Sequence, residues 1–244
     1  MTKTVIVTGS SSGIGQDIAR AFVERGDNVV LNGRDASKLA DVAAALGTPA
    51  RVATFAGDIG APATGSALVN AAVERFGGVD VLVNNAGIFG AKPFVDVTEA
   101  DLDSYLNGNL KGTYFTTQAV VRQLKQQGAG GSIVNIGTVL INHALAGLPA
   151  SAALVSKGGV HALTTSLAAE LAADGIRVNA VAPGIIRTPL FGDGDETASG
   201  RLALLNRIGE VSETTAAVLY LADAEFTTGH IFPVDGGFIS GRAA

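Results

Sequence analysis

The chain has no cysteine, no tryptophan and a single methionine. Without a thiol it forms neither a disulfide nor a thiolate metal site, so packing alone must hold the fold. Histidine is almost as scarce. His143, His161 and His230 lie far apart, and that scatter argues against a metal centre, so no metal is expected. Charged side chains make up only 16% of the residues, too few for a disordered chain. There is no basic run, and a formal net charge of −5 argues against nucleic acid or an anionic membrane as partner. No apolar run is long enough to span a bilayer, and no charged head with an apolar leader precedes the first strand pattern. These absences predict a soluble, cytoplasmic protein.

What is present is apolar and periodic. Hydrophobic residues are 47% of the 244, enough for one α/β domain over 1–244 with a sheet buried on both faces. Short apolar runs predict strands at 4–8, 28–32, 51–56, 79–84, 131–137, 176–181 and 231–234. Longer amphipathic stretches between them predict helices at 13–25, 36–45, 62–76, 99–125, 150–173 and 211–223. Strand and helix in alternation imply parallel pairing with helices on both faces. One segment breaks the rhythm. Pro189–Gly200 (PLFGDGDETASG) is rich in Gly and Asp and follows a strand end, where open α/β sheets bind ligands, so it reads as a substrate lid or as a plain surface loop.

The first strand runs into Thr8-Gly9-Ser10-Ser11-Ser12-Gly13-Ile14-Gly15 and then a helix. Glycines there let the backbone approach a pyrophosphate, and the helix N-terminus offers N–H donors to it. After the second strand, Gly33 leaves space and Arg34 can pair with a 2′-phosphate through its planar fork, which favours NADP(H) over NAD(H). Asp35 is read as a ribose partner or as the cap of the next helix. Asp58 can meet an adenine amino group, with Ile59 against the ring, or can be a turn carboxylate. Asn84, Asn85, Ala86 and Gly87 close the fourth strand, small enough for close approach and able to brace neighbouring strands.

Taken together, TGSSSGIG at 8–15, NNAG at 84–87, Asn109, SIVNI at 132–136, Ser156-Lys157, RVNAVAPG at 177–184 and VDGG at 234–237 resemble the short-chain dehydrogenase/reductase family. The match runs over essentially the whole chain. It implies a single-domain Rossmann fold with a seven-stranded parallel sheet in the order 3-2-1-4-5-6-7, and hydride transfer between a nicotinamide and a carbonyl or alcohol carbon. By the same resemblance, Lys157 bonds the nicotinamide ribose and lowers the pKa of a neighbouring phenol, which is about 10 when unperturbed. Asn109 holds a water that links Lys157 to solvent. Pro183, Gly184, Ile186 and Thr188 line the nicotinamide, with Thr188 on its carboxamide.

Two residues depart from the family pattern at the reaction centre. Four residues before Lys157 the resemblance expects Tyr, and the chain has Ala153. The strand-end Ser expected to bind the substrate oxygen aligns with Thr138. A positioned acid contributes ~10²–10⁴ in rate, so its loss is the more serious change. Three explanations stand for Ala153: an engineered replacement of Tyr, a natural variant with a relocated acid, or a protein that binds NADP(H) without reducing anything. His143, on the loop expected to border substrate, is the candidate substitute acid. His161 shares the helical face of Lys157 and is expected to pack at a subunit contact. The apolar candidates Phe89, Val139, Leu140, Ile141, Leu145, Leu190 and Phe191 suggest a hydrophobic ketone, aldehyde or secondary alcohol. Helices 99–125 and 150–173 resemble the family's dimer contact, so a homotetramer or homodimer is expected.

Overall fold

The computed structural model describes residues 2–241. Its strands are β1 (Thr4–Val7), β2 (Asn28–Gly33), β3 (Val52–Ala56), β4 (Val81–Asn84), β5 (Gly131–Ile136), β6 (Ile176–Pro183) and β7 (Ile231–Val234). They form one sheet in the order β3-β2-β1-β4-β5-β6-β7, as predicted, and every pairing is parallel. The helices are α1 (Gly13–Glu24), α2 (Ala36–Leu46), α3 (Pro62–Phe76), α4 (Glu99–Tyr105), α5 (Gly112–Gln127), α6 (Ser151–Leu171), α7 (Glu196–Gly200) and α8 (Val211–Asp223).

The near-continuous apolar strands are explained by two cores, one on each face. Val5 and Val7 point to one side with Ile18 and Phe22 of α1, Leu39 of α2 and Val218 and Leu221 of α8. Ile6, between them, points to the other side with Leu68 of α3, Val120 and Leu124 of α5 and Leu171 of α6. A strand whose successive residues enter different cores cannot carry the alternating polar pattern of a half-exposed one.

Local signals set several helix ends. The Asp35 carboxylate accepts from the Ser37 and Lys38 backbone N–H groups, so it is the cap of α2. Thr98 and Asp101 form a capping box at α4. The predicted helix 99–125 is interrupted. Leu106–Lys111 forms a π-helical turn between α4 and α5, and Asn109 sits buried within it. Asn and Gly in that turn propagate an α-helix poorly, and bonds made by the Asn109 side chain, described below, fix the wider turn. The segment 189–200, expected to be without structure, carries the short helix α7, capped by Asp195 on the Ala198 N–H.

Helices α3 and α5 approach closely because Gly65 has no side chain. A Cβ there would lie 2.9 Å from the Thr116 Cα. Gly65→Ala is therefore expected to destabilise the protein by about 1–3 kcal/mol through overpacking. Gly108, with nothing within 4 Å of an added Cβ, is the control. Gly108→Ala should leave stability unchanged or raise it by about 0.5–1 kcal/mol. Denaturant unfolding of the two variants checks the contrast, and equal losses would contradict it.

Candidate functional site

The site is assembled at the C-terminal edge of the sheet. Past β1, the Thr8 hydroxyl accepts from the Asn85 and Ala86 N–H groups, both at 3.0 Å. The Asn85 amide returns the contact by donating to the Thr8 and Gly9 carbonyls, also at 3.0 Å. Glycines 9 and 15 make this interlock fit. A Cβ on Gly9 would lie 2.7 Å from the Ala86 Cα, and one on Gly15 would lie 2.3 Å from Asn85 Nδ2. These residues brace the turn.

The open part of the turn lies beside it. The first N–H groups of α1, from Gly13, Ile14 and Gly15, have no carbonyl one turn back. Ser12 precedes them without a side-chain cap bond, and among the described residues neither Ser11 nor Ser12 donates its hydroxyl. The nearest atoms to a Cβ on Gly13 would be those of Thr188 and Pro189, at 3.7 Å. The glycine-rich turn and the segment after β6 thus face each other across the place a pyrophosphate would take. These orphan donors fit a dinucleotide.

Beyond the turn, Arg34 is exposed, and among the described residues it has no hydrogen-bond or ion-pair partner. Ser11 lies against Gly33, where a Cβ would meet its Oγ at 3.1 Å. Asp58 uses one carboxylate oxygen on the Gly60 N–H at 2.8 Å, as in a turn. Ile59 does not present its side chain as expected: it is buried, and its Cδ1 lies 2.7 Å from where a Gly112 Cβ would be.

The candidate reaction centre is built from β4, β5, the π turn and α6. Asn109 accepts from the Ile88 N–H at 2.7 Å, and donates to the Ile88 carbonyl and to Ser156 Oγ at 2.9 Å each. Ser156 in turn donates to the Ala153 carbonyl at 2.7 Å. Lys157 Nζ donates to the Ile136 carbonyl at 2.6 Å. An added Gly87 Cβ would come within 2.9 Å of Asn109 Oδ1 and 3.3 Å of Lys157 Nζ, so glycine keeps this approach open. Burial pushes the Lys157 ammonium down to about 8. Thr138, at the end of β5, is buried, and its hydroxyl accepts from the Leu140 N–H at 3.3 Å while its own proton has no acceptor among the described residues. Ala153 is fully buried one turn before Lys157.

Two histidines near the site make contacts within the chain. The His143 ring packs edge-on against Phe238 at 5.5 Å, next to the apolar cluster of Val139, Ala182 and Phe238. His161 does not face outward to a subunit contact. Its Nε2 turns inward onto the Thr138 N–H. The loop residues Val139, Leu140 and Leu145 pack in the Phe238 cluster, whereas Ile141 and Leu190 are exposed. None of these residues lines the cavity of about 140 Å³ formed by Lys92, Asp101, Tyr105, Pro149 and Ser151 among others.

Past β6, Gly184 donates to the Val234 carbonyl at 2.9 Å, and a Cβ there would lie 2.9 Å from the Asp235 Cα, which accounts for glycine after Pro183. Ile186 is buried against Gly209. Arg187 pairs with Glu196 of α7 and, at 3.0 Å, with Glu210. That clasp ties the short helix to the segment carrying Thr188.

A seven-stranded doubly wound sheet with a glycine-rich first turn and a half-buried lysine at its edge defines a nucleotide-dependent oxidoreductase class. A sequence-family profile described as enoyl-(acyl carrier protein) reductase matches residues 9–239. The chain is 38% identical to L-rhamnose 1-dehydrogenase (NAD(P)(+)) of Azotobacter vinelandii, over 96% of both chains. It is 36% identical to the 3-oxoacyl-(acyl-carrier-protein) reductase of Thermotoga maritima, over 97% of this chain and 98% of that one. The crystal structure of a short-chain type dehydrogenase/reductase from Mycobacterium marinum superposes with a TM-score of 0.92 at 31% identity, covering 98% and 96% of the two chains. The chain belongs to the short-chain dehydrogenase/reductase family, whose members use nicotinamide cofactors on small molecules. Among the described residues no helix is long and apolar enough to cross a membrane.

The depressed Lys157 value carries a stability consequence. The folded value of about 8 lies below the ordinary 10.5. The unfolded chain binds that proton more tightly, so stability rises with pH between the two values and the burial cost is fully present below the lower one. Lys157→Met removes the cost. Its stability relative to the parent should therefore be higher at pH 7 than at pH 9.5, by about 1–2 kcal/mol. Urea unfolding at both pH values measures this, and a pH-independent difference would contradict it.

Proposed function

We propose that the chain is an NADP(H)-dependent oxidoreductase acting on a hydrophobic ketone, aldehyde or secondary alcohol. The observation that carries this reading is Lys157, held between Gly87 and the Ile136 carbonyl and depressed by burial. A scaffold protein has no need to bury an ammonium at a ligand-binding edge, because doing so costs stability. Arg34, without an internal partner among the described residues, and the adjacent Ser11 hydroxyl support a 2′-phosphate site and hence NADP(H) over NAD(H). Asn85, Ala86 and Gly87 form the cofactor-facing end of β4. Pro183, Gly184, Ile186 and Thr188 carry the opposite wall.

When bound, the nicotinamide supplies or accepts the hydride. The remaining steps belong to the protein. The Thr138 hydroxyl, whose proton is uncommitted, donates to the substrate oxygen and orients it. Charge that develops on that oxygen is met by the Lys157 ammonium. An ammonium near pKa 8 gives up a proton close to neutrality far more readily than an ordinary lysine. Asn109 fixes the Ile88 backbone and, through Ser156, the turn of α6 that carries Ala153. With Ala153 in the place of a phenol, the acid is weaker in position and turnover is slow. Segment 189–200 closes over the substrate as a lid, hinged at the Arg187 clasp. Exposed Tyr114 on α5 and Val155 on α6 support assembly as a homodimer or homotetramer through those helices.

Ala153 favours a second reading, an NADP(H)-binding protein that does not turn over. NADPH oxidation over a panel of ketones and aldehydes, with the parent chain beside Ala153→Tyr, separates the two. Oxidoreductase function predicts turnover in the parent, rising ~10²–10⁴-fold in the Tyr variant. Silence from both chains, with NADPH still bound, supports the second reading. For the cofactor, Arg34→Ala is expected to weaken NADPH binding about 10- to 100-fold and leave NADH unchanged. Equal effects on both cofactors in a fluorescence titration would refute the 2′-phosphate role.

A further inference from the structure

One half-buried titratable group next to the proposed reaction centre has no task in the mechanism above. His161 lies on α6 one turn beyond Lys157. Its Nε2 is 3.4 Å from the Thr138 amide nitrogen, a long hydrogen bond. The fit beneath it is tighter than the bond. A Cβ on Gly137 would lie 2.1 Å from His161 Nε2 and 2.7 Å from Cδ2, so a side chain at 137 and this imidazole exclude each other. Lys157, on the same helical face, holds the Ile136 carbonyl at 2.6 Å. The three residues Ile136, Gly137 and Thr138 are thus gripped at both ends by two side chains of one helix, with a gap in the middle shaped to the ring.

The chemistry of the contact fixes the state of the ring. A backbone N–H only donates, so Nε2 must be unprotonated and a neutral ring carries its proton on Nδ1. Burial, and then the Lys157 charge, push His161 below the ordinary histidine value, in keeping with a neutral acceptor.

We propose that His161 is a positioning residue for Thr138. By holding the Thr138 backbone, it sets the direction of the hydroxyl that meets the substrate oxygen, in a site where no phenol at 153 shares that task. The proposal rests on the oxidoreductase reading for the role of Thr138, but not for the grip on its backbone.

Two measurements test it separately. The grip is read without substrate. Two-bond proton–nitrogen NMR correlation of the imidazoles at pH 7 is expected to show His161 as the Nδ1–H tautomer with Nε2 bare. Hydrogen exchange at the Thr138 amide should quicken about 3- to 10-fold in His161→Leu and recover in His161→Gln, whose amide oxygen can accept. A protonated Nε2, or an exchange rate unmoved by His161→Leu, overturns the proposal. The consequence is read in turnover, on the Ala153→Tyr background if the parent is slow. His161→Leu should lower kcat about 3- to 10-fold with KM little changed, and His161→Gln should restore part of it. Unchanged kcat in a folded His161→Leu protein overturns the positioning role. Absence of turnover in every chain instead rejects the oxidoreductase reading, and leaves the grip to be decided by NMR and exchange.

Discussion

Parallel pairing is the constraint from which the rest of the structure follows. In this sheet every strand runs the same way, so all the strand ends that face α-helix N-termini collect along one edge. Both faces are filled by apolar cores, which leaves that edge as the place where polar side chains can converge. Thr8, Asn84, Asn85 and Thr138 are all found there, at or just beyond the ends of β1, β4 and β5. The fold thereby separates stability from chemistry: valines and isoleucines hold the layers, and the residues after them are free to be chosen for a ligand.

That separation is incomplete at β5 and α6. Asn84 donates to Asn135 at 2.9 Å and to Thr117 at 2.8 Å, and Asn135 donates to Thr164 at 2.9 Å. This line of buried polar groups runs from α5 along one face of the sheet, over the ends of β4 and β5, to α6. Such networks are high in stake, because each member is costly if its partner is lost. Here they fix the lateral position of α6 against the strands. The same helix carries Ala153, Ser156, Lys157 and His161, so its placement is inherited by four side chains of the site. A half-buried lysine held below its ordinary pKa weighs against stability.

Strand count and the two-faced core were legible in the sequence because period and length report burial directly, whereas strand order was legible only through the family resemblance. Asp35 was legible as a cap because Asp at that place has a strong local preference. The π turn at 106–111 was not, since a wider turn changes the hydrogen-bond partner without changing which residues are apolar. Helix α7 was hidden by its five-residue length and by the glycines and aspartates around it. In the candidate site, Thr8, Asn85, Gly87, Asn109 and Lys157 come together at one edge of the sheet, while Ile59 packs toward Gly112 and His143 against Phe238. His161 was visible as a neighbour of Lys157, yet its direction was not, because the decisive partner is the missing side chain of Gly137. A glycine at a strand end and a bulky ring on the facing helix form a complementary pair that only the third dimension reveals.

The π turn also separates two stretches of helix that would otherwise share one continuous face. Successive residues of an α-helix are set about 100° apart, so a turn that accommodates an additional residue rotates everything after it by that amount relative to what came before. The side of α4 that presents Asp103 and Ser104 to solvent and the side of α5 that presents Tyr114 therefore belong to different angular sectors. Surface identity and the depth of Asn109 are coupled through one backbone irregularity. Any change of length within that turn would re-aim the amide in the interior and redraw the exterior of α5 in the same stroke.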